Sequence, residues 1–113
     1  MLIKVFDLIG DKNALSMDKG EKVYKAIRES IDNEKNVEVD FEGVQIFATL
    51  FFNTAIGKLL KDYHAEDLND KIKFINLTDN GKNLVRKSIK NSAEYYNNTD
   101  LKNAVDKVIN EEN

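Results

Sequence analysis

Apolar positions in this chain recur with two periods, and the switches between them lay out the elements. Leu2 to Ile9 is dense in β-formers and stops at Gly10-Asp11, which predicts a strand. Asp11 to Ser16 reads as a turn or short hairpin return, with Ala14 and Leu15 pairing back. The spacing then lengthens. Val23, Ile27 and Ile31 recur every fourth residue with Tyr24 and Ala26 beside them, while Lys25, Arg28, Glu29 and Asp32 fall off the stripe. That is one face of an amphipathic helix. Its start is marked by Asp18 with Glu21 three residues on, a capping box, or by Ser16 as a rival N-cap.

Period two returns at Val37-Glu38-Val39-Asp40-Phe41, which sets Val37, Val39 and Phe41 on one strand face. Glu42-Gly43 makes a turn, and Val44 to Phe47 leads into the next element. From Thr49 to Tyr63 the spacing is helical again: Phe52, Ile56, Leu59, Leu60 and Tyr63 share a face, with Phe51 and Ala55 on its flank. Gly57 inside that helix costs about 1 kcal/mol against Ala, so a close backbone approach is expected there. Lys71 to Leu77 alternates as another strand. Thr78-Asp79-Asn80 caps a helix carrying Leu84, Val85, Ile89 and Tyr96, and "NNTD" at 97–100 breaks it. A last amphipathic helix over 99–111 carries Leu101, Ala104, Val105, Val108 and Ile109.

Strands alternating with helices predict an α/β fold with a four-stranded, mixed but mainly parallel sheet, helices packed on one principal face and an added C-terminal helix. The expected buried set includes Val5, Val37, Val39, Phe41, Ile56, Leu59, Ile72, Phe74 and Ile75. With 113 residues, 42% of them hydrophobic, one domain spanning 1–113 accounts for the chain, its core at 2–96 and a helical extension at 99–111. Proline is absent, so reversals fall to Gly, Asn and Asp.

Charge and composition then exclude several kinds of chemistry. The 17 basic and 20 acidic residues nearly cancel, and the lysines form no run, which argues against sequence-independent nucleic-acid binding. Without cysteine there is no disulfide, thiolate metal site or cysteine nucleophile. No apolar stretch reads as a signal peptide or membrane span, and a cytoplasmic location is expected. His64 is the single histidine, which removes a His-based metal cluster or a Ser-His-Asp triad; a surface position at a helix end is its plain reading. Glu66-Asp67 and Glu111-Glu112 sit where solvated charge is ordinary, and no glycine falls in a phosphate-loop spacing. "TDNGKN" at 78–83 reads as a helix start. No enzyme, metal or cofactor is expected.

The strand-to-helix junction Phe47-Ala48-Thr49-Leu50-Phe51-Phe52 is the place of interest. Thr49 is placed to cap the following helix, or to carry a phosphate at its positive end. Leu50 and Phe51, in a first helical turn near the sheet's edge, are expected partly wet, as in a partner-binding surface.

The order of elements and "VEVDFEGVQIFATLFFNTAIGKLL" resemble the STAS domain, the fold of anti-sigma-factor antagonists and of sulfate-transporter cytoplasmic tails. Val37 to Val44 matches that family's strand and turn, and Ala48-Thr49-Leu50-Phe51 occupies the place of its "Asp-Ser-Ser/Thr-Gly-Leu" entry to a helix. The chain most resembles the STAS-like family of unknown function, small bacterial proteins, through Lys4-Val5-Phe6-Asp7-Leu8-Ile9-Gly10 and Thr49-Leu50-Phe51; the likeness spans roughly residues 2–92. Three signature positions depart: Leu50 stands where antagonists carry the phosphorylated serine, Ala48 replaces the acid and Phe51 the glycine.

The resemblance implies a non-enzymatic regulatory module docking a protein partner, a GHKL-type ATPase or anti-sigma kinase, through Phe47, Thr49, Leu50, Phe51 and Asn53, with Thr49 as the candidate phosphorylation site. Two alternatives stand beside it. One is a STAS sensor of a small ligand; the other is a mobile-element inhibitor of a host or phage protein, held through the acidic C-terminal helix. Leu101, Val105 and Val108 are the candidate face for a homodimer.

Overall fold

In the computed structural model, which describes residues 1–97, the N-terminal apolar run divides. Its first part is a strand, β1 (Leu2–Lys4), and a short helix, α1 (Val5–Ile9), comes directly after it. Val5 and Ile9 stand four apart and both are buried, a helical relation inside a β-rich stretch. Gly10 closes the helix in the left-handed region at φ 66°, its N–H donating to the Phe6 carbonyl. The chain then runs β2 (Asn13–Ala14), α2 (Met17–Asp32), β3 (Val37–Asp40), β4 (Ile46–Phe47), α3 (Thr49–Ala55), a 3-10 turn (Gly57–Lys61), α4 (Ala65–Lys71), β5 (Ile72–Ile75) and α5 (Asp79–Asn97). The C-terminal helix expected over 99–111, with its dimer face, lies outside the described residues.

The strands form two small parallel sheets rather than one of four strands. The main sheet has three, in the order β1-β3-β5, with Val39 opposite Ile3 on one side and Phe74 on the other. The second sheet pairs β2 with β4, Ala14 opposite Phe47. Two facts defeat the four-stranded expectation: β1 ends after three residues, and β2 lies parallel beside β4 instead of folding back as a hairpin. One face of the main sheet holds the buried Ile3, Val37, Val39 and Ile72; the other carries the exposed Leu2, Lys4, Glu38 and Lys73. Helical cover therefore lies on one face. Phe74 and Ile75, expected in the core, are only partly buried, because β5 is an end strand.

Ser16, not the Asp18–Glu21 box, caps α2: its Oγ accepts the Lys19 N–H at 3.3 Å. Glu21 instead pairs with Lys58 of the 3-10 turn. The expected single helix from Thr49 to Tyr63 breaks at Ile56, whose φ of -119° leaves helical geometry. The 3-10 turn beyond it keeps Leu59 and Leu60 fully buried. Gly57 is crowded by side chains, not backbone: an added Cβ would collide with the Ser92 hydroxyl and touch that of Ser88, both on α5. Sequence reading leaves out α4 altogether, since its one buried residue, Leu68, makes no stripe.

Helices α2 and α3 cross closely at Gly20. A Cβ there would lie 2.8 Å from the Phe51 carbonyl oxygen and 2.8 Å from Thr54 Cβ. Neither a backbone carbonyl nor a branched Cβ can swing aside. In Gly20→Ala the overpacking cost of about 1–3 kcal/mol therefore outweighs a helix-propensity gain of at most about 1 kcal/mol. Urea unfolding should show a lower midpoint at unchanged slope. A raised midpoint would mean that α2 and α3 do not cross this tightly.

Candidate functional site

The junction forms where β4 hands the chain to α3. Strand alternation puts Phe47 inward at 7% exposure and leaves its neighbour Ile46 52% exposed. In α3 the same division follows helical spacing: Leu50 is 48% exposed, Phe51 and Phe52 not at all. The rings then connect. Phe47 stacks on Phe52 with centroids 5.3 Å apart, Phe51 meets Phe52 edge-on at 5.3 Å, and Phe41 contacts Phe47, Phe52 and Phe74 at 5.7, 6.0 and 6.1 Å. Five of the six phenylalanines thus form one cluster.

This placement corrects two of the expected docking residues. Phe47 and Phe51 are core, and a partner cannot reach them in this conformation. The cause is the Gly20 crossing, which seats the first turn of α3 beneath α2 and turns Phe51 inward. Thr49 is not the N-cap: Ala48 holds that position with extended backbone, φ -117° and ψ 149°, and Thr49 is the first helical residue, half-buried. Asn53 is exposed, yet its Oδ1 accepts the hydroxyl proton of the buried Ser88 at 2.7 Å, which ties α3 to α5.

Of the five expected residues, Leu50, Thr49 and Asn53 reach the surface. Sequence reasoning missed their apolar company. Leu15, 45% exposed, follows Ala14, whose carbonyl accepts the Ala48 N–H at 3.0 Å; Met17, 56% exposed, opens α2. Ile46 was within reach, since it alternates with Phe47.

The loop at the carboxyl end of β3 leads into this rim. Asp40, only 7% exposed, accepts the Glu42 N–H and the Asn76 side-chain amide on one oxygen, each at 2.9 Å. The first bond makes an Asx-turn; the second joins β3 to the residue after β5. Gly43 completes the reversal at φ 87°, Val44 N–H reaches the Phe41 carbonyl at 2.9 Å, and Asn76 holds the left-handed region at φ 58°. Phe6 covers Gly43, close enough that an added Cβ would sit 3.2 Å from its ring. An open groove of 620 Å³ passes over this loop, lined by Gly43, Gln45, Asn76 and Thr78 among others. It offers backbone groups and neutral amides for binding; Glu42 is its one ionisable side chain.

Elsewhere the charges hold elements together. Arg28 bonds Asp32 at 3.0 Å and Asp62 at 2.6 Å, and its guanidinium lies 5.4 Å from the Tyr63 ring centre. Tyr63 donates to Asp32 at 2.6 Å, and that bond with Arg28 holds the Asp32 carboxyl below its usual 3.8. This network fastens α2 to the segment after the 3-10 turn. Lys19 bonds Asp11 at 2.7 Å and does the same for the loop before β2. His64 is exposed at the N-cap position of α4, without a side-chain capping bond. Among the described residues no cluster of His, Cys, Asp or Glu could hold a metal ion, and no helix is long and apolar enough to cross a membrane.

The Asn76 amide and, after it, the Glu42 N–H hold the Asp40 carboxyl below its ordinary value of 3.8. A depressed carboxylate stabilises the fold fully above its unfolded value, and that contribution disappears as pH falls through the folded one. Asp40→Ala removes the charged acceptor of two hydrogen bonds, one to the turn and one to Asn76, and should cost about 1–3 kcal/mol at neutral pH. The gap from wild type, followed by urea unfolding across pH, should shrink below about pH 4. A gap constant down to pH 2 would rule the ionised carboxylate out as its source.

The chain matches the family model described as STAS-like domain of unknown function (DUF4325) over residues 19–82, from the first turn of α2 to that of α5. No curated protein and no solved structure matches it. The match covers more than half of the chain and contains β3, its Asx-turn loop, the β4–α3 junction and β5; this protein belongs to that STAS-like family.

Proposed function

We propose that this STAS-like domain is a non-enzymatic regulatory module that docks a protein partner on the rim of the β4–α3 junction. The observation that carries the proposal is the exposure of Ile46 and Leu50, 52% and 48%, on either side of Thr49, above phenylalanines that are sealed. Apolar side chains at the surface of a rigid aromatic base make a contact that desolvates well at little entropic cost. Leu15 and Met17 add to it from the neighbouring elements.

By its likeness to anti-sigma-factor antagonists, the partner is a GHKL-type ATPase or anti-sigma kinase. Thr49 is the switch in this reading: a phosphate there would set a charge of about -2 between two apolar contacts and weaken docking by desolvation. Besides the open groove of 620 Å³ over the β3–β4 loop, the ligand-sensor alternative has in its favour an apolar cavity of 280 Å³ lined by Ile56, Leu68, Phe74 and Ile89. The cavity is below the usual range for ligand pockets, roughly 300–1,000 Å³.

Phe51→Ala is the wrong probe for docking, because emptying a buried Phe site costs about 3–5 kcal/mol and perturbs the whole fold. Leu50→Glu changes an exposed position, where substitutions stay within about 0.5 kcal/mol. Wild type and Leu50→Glu should be compared as baits in source-cell lysate, with retained proteins identified and the bait weighed intact. Retention of an ATPase by wild type and its loss with Leu50→Glu is the expected result; an added phosphate on Thr49 would complete the switch. Equal retention by both baits would overturn the junction as the docking surface.

A further inference from the structure

A cavity of 680 Å³ lies away from the junction and runs from Asn36, Val37 and Glu38 at the start of β3, across β5, to Lys82, Val85 and Arg86 of α5. β5 is an end strand of the main sheet, so one of its edges has no strand partner among the described residues. The register settles which backbone groups face that edge. Phe41 N–H donates to the Ile75 carbonyl at 3.0 Å, so Ile75 directs its groups toward β3. Alternation then turns those of Phe74, and the Ile72 carbonyl, outward. The Ile72 N–H is already used, closing α4 on the Leu68 carbonyl.

The charge around this cavity differs from that of the chain. The cavity is lined by Lys71, Lys73, Lys82 and Arg86 against Glu38 and Asp70, two positive charges in excess, whereas the whole chain carries -3. None of the four cations joins an ion pair among the described residues, and Arg86 reaches only Asn83 Oδ1, at 3.3 Å. Lys82 and Arg86 stand four apart and present their charges on one side of α5. Phe74 and Val85 supply apolar surface between them.

We infer that the β5 edge receives an extended, acidic segment of a partner protein as an added strand. Its backbone pairs with Phe74 and Ile72, and its carboxylates meet Lys82 and Arg86. Strand addition draws affinity from main-chain hydrogen bonds and specificity from alternate side chains. Charge also selects against a second copy of this chain as the occupant. Edge-to-edge pairing of two β5 strands would bring two surfaces of like net charge together, much as edge lysines discourage self-pairing. An acidic strand meets the same groups as partners. This surface is separate from the junction, and either reading can fail without the other.

The test uses the full chain and a fluorescein-labelled peptide of alternating Glu and Val, about ten residues long, with a Lys-Val peptide as control. Anisotropy gives the affinity, and NMR gives the exchange rate of the Phe74 amide. The Glu-Val peptide should bind, more weakly as salt rises. Lys82→Glu with Arg86→Glu should weaken binding about tenfold, the sum of two lost exposed pairs and two repulsions. Phe74 amide exchange should slow about tenfold or more in the complex, and Leu50→Glu should bind as wild type. No binding, equal binding of the Lys-Val peptide, indifference to the double substitution, or an unchanged Phe74 amide would each overturn the inference. So would a concentration-dependent dimer in which that amide is protected without peptide, since the occupant would then be a second copy.

Discussion

With no side chain at Gly20, α2 rests directly on the backbone of α3, and most of the molecule is arranged by that contact. It fixes the depth of α3 beneath its neighbour and so decides which way the first turn presents its residues. Phe51 and Phe52 turn into the aromatic cluster, where each buried ring contributes about 1.5–3 kcal/mol from burial and each favourable ring pair about 0.5–1.5 kcal/mol more. Leu50, one residue earlier and about 100° around the helix, is left outside. The ion pairs of Arg28 with Asp62 and of Glu21 with Lys58 run along the flank of the same helix and fasten the 3-10 turn and the residue just after it. They are partly exposed and secondary; the crossing is what they stabilise.

From the other side, Asp40 sets the loop that reaches the junction. One carboxylate oxygen holds both the turn after β3 and the residue after β5, so the carboxyl ends of two adjacent strands are locked together. The loop enters β4 from a fixed point, and β4 enters α3 through an extended Ala48. A surface built this way is presented by rigid elements on both flanks. Its chemistry is apolar contact beside a single hydroxyl, the contact on which the docking proposal rests.

Elements with a strong single period were legible in the sequence. The β3 alternation, the α2 stripe through Val23, Ile27 and Ile31, and the Thr78 cap of α5, whose Oγ1 accepts the Gly81 N–H at 3.0 Å, are all where the pattern puts them. The losses have physical causes. Leu2 to Ile9 is β-rich by composition, yet tertiary burial of Val5 and Ile9 made its second half a helix. The Thr49–Tyr63 stripe stays apolar across the break at Ile56 because a 3-10 turn can bury the same leucines. Two-residue strands such as β2 and β4 hold too few positions for a period to emerge.

At the site, the sequence located the junction and not its orientation. An aromatic in a first helical turn is wet or dry according to what crosses over it, and the residue that crosses, Gly20, lies more than thirty positions away. Solvent access at the junction is therefore the quantity to measure, by NMR of the full chain with a soluble paramagnetic agent. The Leu50 and Ile46 methyls should lose most of their intensity while the Phe51 and Phe52 ring protons keep theirs. Attenuation of Phe51 as strong as that of Leu50 would contradict the account, because it would mean that α3 is not seated under α2 and that the phenylalanines themselves form the surface.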